Sequence, residues 1–327
     1  MTIKTNPEFG IELALTIPYA YYLHTQDKLS TVITSKGMKP FYYFCDDVRE
    51  EFEKRTIDNS IAGLDNIPNN WIHHNALAVF GKDYSQLNEK EQHKANGVLD
   101  YTQWICPPYK EHYQNSEFNF DKPVIFITNK YNIEHGEEPF GYFNIQCLYD
   151  MFNYLTDKGY IVIYKRATNK EDFAIDQNEY NTLNSHLPGI KANVEGVGVI
   201  DDHKLTDFFE NVYLLDHFTE NKNYNEVQLK IMAQSHGFIS VCGGNSILSS
   251  CFGKTMISYI HKGKELRPNY FDNNSYFKKL SGAKIIPIFD VISSINDLNI
   301  IKNYGHKINY SNKNNYNELL STIKKEF

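Results

Sequence analysis

The sequence predicts an α/β protein whose second half forms a parallel sheet with helices covering both faces. Three observations carry that expectation. The second half of the chain alternates short, wholly apolar strands with helical stretches, the pattern of a parallel sheet buried on both faces. The chain has 327 residues, which suggests two domains of about 100–200 residues each, or one large one. Its composition, 41% hydrophobic and 22% charged, is that of a globular chain able to bury a core.

The elements follow in order. The loop Asn6-Pro7-Glu8-Phe9-Gly10 precedes an apolar stretch over 11–23, read as a helix kinked at Pro18. Residues 31–34 and 41–44 are rich in β-branched and aromatic side chains and read as short buried strands. Residues 46–55 are charged and helix-permissive, with Asp46 or Asp47 as N-cap. The pattern weakens over 58–113, where 86–96 reads as a surface helix and Pro107-Pro108 as a break. A polar linker over 115–122 sets the boundary between residues 1–118 and 119–327. Beyond it, strands are expected at 124–127, 160–164, 212–215, 238–241, 256–260 and 285–288, the last near a sheet edge because of Pro287. Helices are expected at 143–156, 205–209, 225–234, 246–252, 292–301 and 316–327. The last of these is free to pack back on the first unit.

Several function classes are excluded. With 33 Lys and Arg against 40 Asp and Glu, the net charge is −7, which argues against nucleic acid as a partner because phosphates need a basic surface. No apolar run approaches the roughly 18–20 residues of a membrane span. The opening MTIKTNPEFG lacks the charged-then-apolar form of a signal peptide. A soluble, cytoplasmic protein is expected. Cys45, Cys106, Cys147, Cys242 and Cys251 form no C-x-x-C pair, so neither a zinc ribbon nor a disulfide scaffold is expected. No metal site is expected. The 24 Tyr and 21 Phe have two readings, mutational bias or stacking platforms for ligand rings.

In a doubly covered parallel sheet, ligands bind at the carboxyl ends of the strands. The sharpest such place is the strand at 238–241, which runs into Gly243-Gly244 and a helix opened by Asn245-Ser246. Glycines permit a sharp turn and close approach of a ligand. The first N–H groups of a helix have no partner within it and attract anions. A Gly-Gly pair by itself is more often an ordinary tight turn. Cations in three other loops after strands strengthen the anion reading: Lys165 and Arg166, then Lys264 with Arg267, then Lys130 beside Asn129. Arg clamps phosphate oxygens in pairs and Lys supplies a point charge. Residues 1–120 hold 11 Lys and Arg against 16 Asp and Glu, so the remainder is nearer neutral.

The stretch from Tyr224 to Gly253, with Phe238-Ile239-Ser240-Val241, Gly243-Gly244-Asn245-Ser246 and a small-residue helix ending at Gly253-Lys254, resembles the donor-binding domain of GT-B glycosyltransferases. It is most similar to those of heptosyltransferase-like and polysaccharide-cluster type. Glu8-Phe9-Gly10-Ile11-Glu12 looks like the glycine loop that begins their acceptor domain. The resemblance implies two Rossmann-like domains facing a cleft, 1–118 on the acceptor side and 119–327 binding the nucleotide sugar. It implies sugar transfer from a nucleoside diphosphate sugar to a hydroxyl of a glycan or glycoconjugate, without cofactor. Gly243, Gly244, Asn245, Ser246, Arg166 and Lys264 would then hold the diphosphate, with Asn129, Lys130 and Arg267 in support and Glu265 on the ribose. Glu12 is the first candidate for general base, with His73, His74 and Asp46 in reserve; its other reading is a first-turn carboxylate facing the helix dipole. No pair of glutamates seven apart and no D-x-D motif in a metal-binding context occurs, so an inverting, metal-independent reaction is expected. The rival readings are a nucleotide-sugar epimerase and a non-catalytic nucleotide- or glycan-binding protein of the same fold. Homo-oligomerisation is left open.

Overall fold

The computed structural model describes residues 1–53, 55, 64–65, 86, 88, 103–131, 141–166, 189–260, 276–289 and 316–327. The first unit runs through β1 (Thr2–Thr5), α1 (Phe9–Ile11), a π-helical turn (Glu12–Thr16), α2 (Ile17–Thr25), β2 (Thr31–Ser35), β3 (Val48–Phe52), β4 (Leu64–Asp65) and α3 (Tyr109–Tyr113). Its sheet has the order β3-β2-β1-β4. β1, β2 and β3 are parallel, and β4 pairs antiparallel with β1.

The helix expected over 11–23 is present but longer, and Pro18 does not end it. Proline has no N–H and presses on the carbonyl four residues back. The helix answers with a wider turn, in which the N–H of Ile17 reaches back to the carbonyl of Glu12. Two expectations fail. Residues 41–44 form no strand: Pro40 lies in a 3-10 turn (Lys39–Tyr42) that buries Phe41 and Tyr42 completely. The aromatic run recorded burial rather than extension. Residues 48–52, expected in a helix, are the edge strand β3, with Arg49, Glu50 and Glu51 exposed. Charges on an edge strand guard it against pairing with other chains, and in sequence they resemble a helix surface. The helices expected at 86–96 and 292–301 lie outside the described residues, apart from Gln86 and Asn88.

The second unit holds β5 (Val124–Asn129), α4 (Ile145–Asp157), β6 (Ile161–Arg166), the hairpin β7 (Lys191–Val194) and β8 (Gly198–Asp201), α5 (Asp202–Leu205), β9 (Val212–Leu214), α6 (Asp216–Thr219) and α7 (Tyr224–Gln234). It continues with β10 (Gly237–Val241), α8 (Gly244–Ser250), β11 (Thr255–Ile260), α9 (Tyr276–Ser281), β12 (Lys284–Phe289) and α10 (Tyr316–Glu326). The sheet order is β12-β11-β10-β5-β6-β9, parallel at every pairing. All six strands were legible as apolar runs, and β12 with Pro287 is an edge as expected. The hairpin β7–β8 was not foreseen. After β9 the chain crosses to the other side of β5, so the strand order reverses between β5 and β10, and a crevice at the carboxyl ends is the usual result.

Alternation along the strands sorts two cores. Phe126, Ile163, Phe238 and Met256 join Phe9, Phe41 and Tyr109 of the first unit in one cluster. Ile127, Tyr164, Ile239 and Ile257 join α4 and α10 in the other. Leu319 and Ile323 of α10 belong to this second cluster, so these side chains pack on the second unit, not back on the first. All five cysteines are free thiols. Among the described residues no helix is long and apolar enough to cross a membrane.

Candidate functional site

The strand-to-helix turn after β10 has the form the sequence predicts. Gly243 adopts φ +144°, a region that side chains avoid, and a Cβ there would meet nothing within 4 Å. The turn is held by Ser246, whose Oγ accepts from the N–H of Gly243 at 3.2 Å and donates to its carbonyl at 2.7 Å. Ser246 is fully buried, so its hydroxyl closes the turn. Among the described residues no acceptor meets the N–H of Gly244 or of Asn245.

Gly244 is a glycine for a different reason from the one expected. A Cβ on it would stand 2.9 Å from Phe9 Cδ1 and 3.5 Å from the nitrogen of Gly10. A Cβ on Gly10 would in turn lie 3.0 Å from Glu8 Oε2, 3.1 Å from Ile247 Cδ1 and 3.5 Å from Gly244 Cα. The two glycines let the opening of α1 and the opening of α8 touch, and the side of Gly244 is filled by a phenylalanine ring. The turn is open at Gly243 instead.

Strand alternation decides which cation reaches the turn. On β6, Ile161, Ile163 and Lys165 face the first unit, whereas Val162, Tyr164 and Arg166 face the opposite core. Lys165 Nζ, on a side chain only 3% exposed, donates to Asn245 Oδ1 at 3.1 Å and to Gln228 Oε1 at 2.8 Å. It also stands 5.5 Å from the ring centre of Tyr224. Arg166 pairs with the buried carboxylate of Asp202 on the far face, Nε to Oδ2 at 2.5 Å. That carboxylate also accepts from Tyr164 Oη and the N–H of Ile190. The sequence named Arg166 for the diphosphate, and the structure brings its neighbour Lys165 to the turn instead.

Lys165 heads a row of buried polar side chains in register across the sheet: Lys165, Thr128, Ser240 and Ser258. Thr128 and Ser240 share a hydrogen bond. The hydroxyl of Ser258 has no partner among the described residues. A polar row on an otherwise apolar face, near the carboxyl edge, was not singled out from the sequence. The hydroxyls at the ends of apolar strands were the signal available.

Asn129 is buried and occupied. Its Oδ1 accepts from the N–H groups of Lys130 and Phe143, and its Nδ2 donates to the carbonyl of Phe143 and to Tyr164 Oη. It ties the loop after β5 to the start of α4. Lys130 is half-buried beside it. Lys264, Glu265 and Arg267 lie outside the described residues, as do His73 and His74.

Glu12 is fully buried, with Arg55 Nη1 2.6 Å from its Oε2. Its Oε1 accepts from Thr34 Oγ1 and Tyr42 Oη, both at 2.7 Å. Burial and the carboxylate beside it push the Tyr42 hydroxyl well above the usual phenol range. Arg55 also donates to the carbonyl of Pro7. This group locks the loop before α1 to β2 and the 3-10 turn. Glu8, four residues earlier, is half-buried and caps α1 by accepting from the N–H of Ile11 at 3.1 Å. It is thus the carboxylate of this loop that lies beside the contact between Gly10 and Gly244.

No family model matches the chain, and no curated protein matches it. Solved structures similar to it include a glycosyl transferase family 9 protein from Veillonella parvula, 9% identical over 99% of this chain and 98% of that one, with a TM-score of 0.46. An ADP-heptose lps heptosyltransferase II from E. coli is 10% identical over 98% of each chain, with a TM-score of 0.48. A UDP-GlcNAc 2-epimerase from Neisseria meningitidis is 14% identical over 79% of this chain and 82% of that one, with a TM-score of 0.30.

Proposed function

We propose that the protein is a glycosyltransferase that moves a sugar from a nucleoside diphosphate sugar to a hydroxyl of a glycan or glycoconjugate, with inversion, in the cytoplasm. The observation that supports this reading is a buried ammonium, Lys165, hydrogen-bonded to the residue that opens α8, beside two amides with no acceptor among the described residues. When a sugar leaves a diphosphate, negative charge gathers on the departing phosphate oxygens. Fixed N–H donors and a cation at that point lower the barrier without reorganising. Lys165 and the N–H groups of Gly244 and Asn245 take that role, Gly243 leaves room for the phosphate, and Ser246 holds the turn. Because these groups supply the positive end, activity is expected to survive EDTA.

The acceptor hydroxyl needs a base from the opposite side. Glu12 was the first candidate, but two hydroxyl donors and the Arg55 guanidinium already occupy it in the interior. Glu8 has the exposure and position that the role requires, and we assign the base to it.

The test begins with thermal shift against UDP, GDP, CDP, ADP and CMP, since a ligand that binds only the folded chain raises its melting temperature. Lys165→Met should weaken the active nucleotide by about 1.5–3 kcal/mol, the value of a charged hydrogen bond. Glu8→Gln should lower kcat by about 10²–10⁴ with nucleotide affinity kept. No shift with any nucleotide would refute the donor site. Unchanged turnover in Glu8→Gln would remove Glu8 as the base.

A further inference from the structure

Three buried amide and ammonium groups form one directed chain between the two units. Lys165 Nζ donates to Gln228 Oε1 at 2.8 Å, Gln228 Nε2 donates to Asn225 Oδ1 at 2.9 Å, and Asn225 Nδ2 donates to the carbonyl of Gly37 at 2.5 Å. Asn225 and Gln228 lie three apart on α7 and so share a face. Gly37, at φ +90°, sits in the turn that follows β2, at the carboxyl end of the first sheet. The chain therefore links the carboxyl edges of both sheets.

Its direction agrees at both ends, an ammonium that only donates and a carbonyl that only accepts. An ammonium only donates, so Lys165 turns the oxygen of Gln228 toward itself. The amide nitrogen of Gln228 must then face Asn225, which presents its oxygen in reply. Only in that orientation does Asn225 offer an N–H to Gly37; reversed, its oxygen would face a carbonyl in a buried place, at the cost of an unmade hydrogen bond. The same ammonium holds Asn245 at the opening of α8, so whatever engages the turn also acts on the head of the chain.

We propose that Gln228 and Asn225 are positioning residues: an amide relay that carries the charge of Lys165 to the turn at 35–38 and holds the acceptor-side edge in register with the donor turn. The benefit to catalysis rests on the transferase reading, whereas the relay itself does not. Asn225→Asp keeps the acceptor for Gln228 but sets a carboxylate against the carbonyl of Gly37. Gln228→Glu keeps the acceptor for Lys165 but offers no donor to Asn225. Lys165→Met removes the donor at the head of the chain.

The test is hydrogen exchange in the full chain, read at the amides of Lys36 and Met38, which are bonded to the carbonyls of Phe52 and Ser35. Exchange there should quicken about tenfold in all three variants, the effect of one lost hydrogen bond, while the amides of β5 keep their protection. In transfer assays Asn225→Asp should lower kcat about tenfold while nucleotide affinity is retained. Unchanged exchange at 36 and 38 in Lys165→Met overturns the relay, as does an equal loss of protection in β5, which would mark a merely structural role. Should one variant fail to fold, the other two decide. A wild-type chain that binds no nucleotide and transfers no sugar would remove the transferase reading and leave the exchange result to judge the relay.

Discussion

Gly244→Ala asks whether this glycine serves a ligand or the contact between the two units. The new Cβ would stand 2.9 Å from Phe9 Cδ1. Carbon atoms rest at about 3.5–4.0 Å, so the ring must retreat by about 0.6–1.1 Å. Phe9 is 5% exposed, edge-on to Phe41 with centroids 5.6 Å apart, and carries the Arg55 guanidinium 5.6 Å from its ring centre. A ring held from both sides does not swing away freely, and overpacking of this kind costs about 1–3 kcal/mol. Urea unfolding, followed by the fluorescence of the buried Trp104, reads the loss. Phe9→Leu gives the ring's space back, so the double variant should be more stable than the sum of the single losses by about 0.5–3 kcal/mol. A Gly244→Ala protein within about 0.5 kcal/mol of wild type, or a cycle with no coupling to Phe9, would refute the packing argument and return this glycine to the ligand.

Two further outcomes follow from buried charge. Glu12→Gln leaves Arg55 in the interior without its carboxylate and should cost about 3–5 kcal/mol; a loss under about 1 kcal/mol by urea unfolding would show that the pair is not what holds the loop. Burial holds the pKa of His112, stacked 3.6 Å from Tyr43, below the ordinary imidazole value, and that of His203 likewise. The unfolded chain then binds more protons than the folded one just below about pH 6.5. Stability should be complete above that pH and fall as the solution is acidified through it. His112→Phe, which keeps a ring on Tyr43, should lose less on going from pH 7.5 to pH 5.5, and an identical loss in both proteins would rule out the assignment to His112.

Much of the second unit was legible because its signals are local. Buried parallel strands must be apolar along their whole length, so β5, β6, β10 and β11 stand out in the residue order. Gly243 was legible because a backbone at φ +144° has few occupants other than glycine. β3 and the 41–44 segment were misread because charge and aromaticity report exposure and burial, and only secondarily backbone shape. The site residues were half legible. The turn was read, but that Lys165 rather than Arg166 lies beside it was not, since a strand sends neighbours to opposite faces and nothing local says which face meets the first unit.

By itself, then, the sequence determined the parallel α/β architecture of the second half and the glycine turn, because backbone conformation and the period of a strand are set within a few residues. Only the tertiary structure decided that Lys165 rather than Arg166 meets Asn245, that Phe9 fills the side of Gly244, that Arg55 claims Glu12, and that Asn225 reaches Gly37. The physical reason is that each of these contacts joins segments distant in the chain, and the low dielectric that strengthens the polar ones exists only once those segments have packed together.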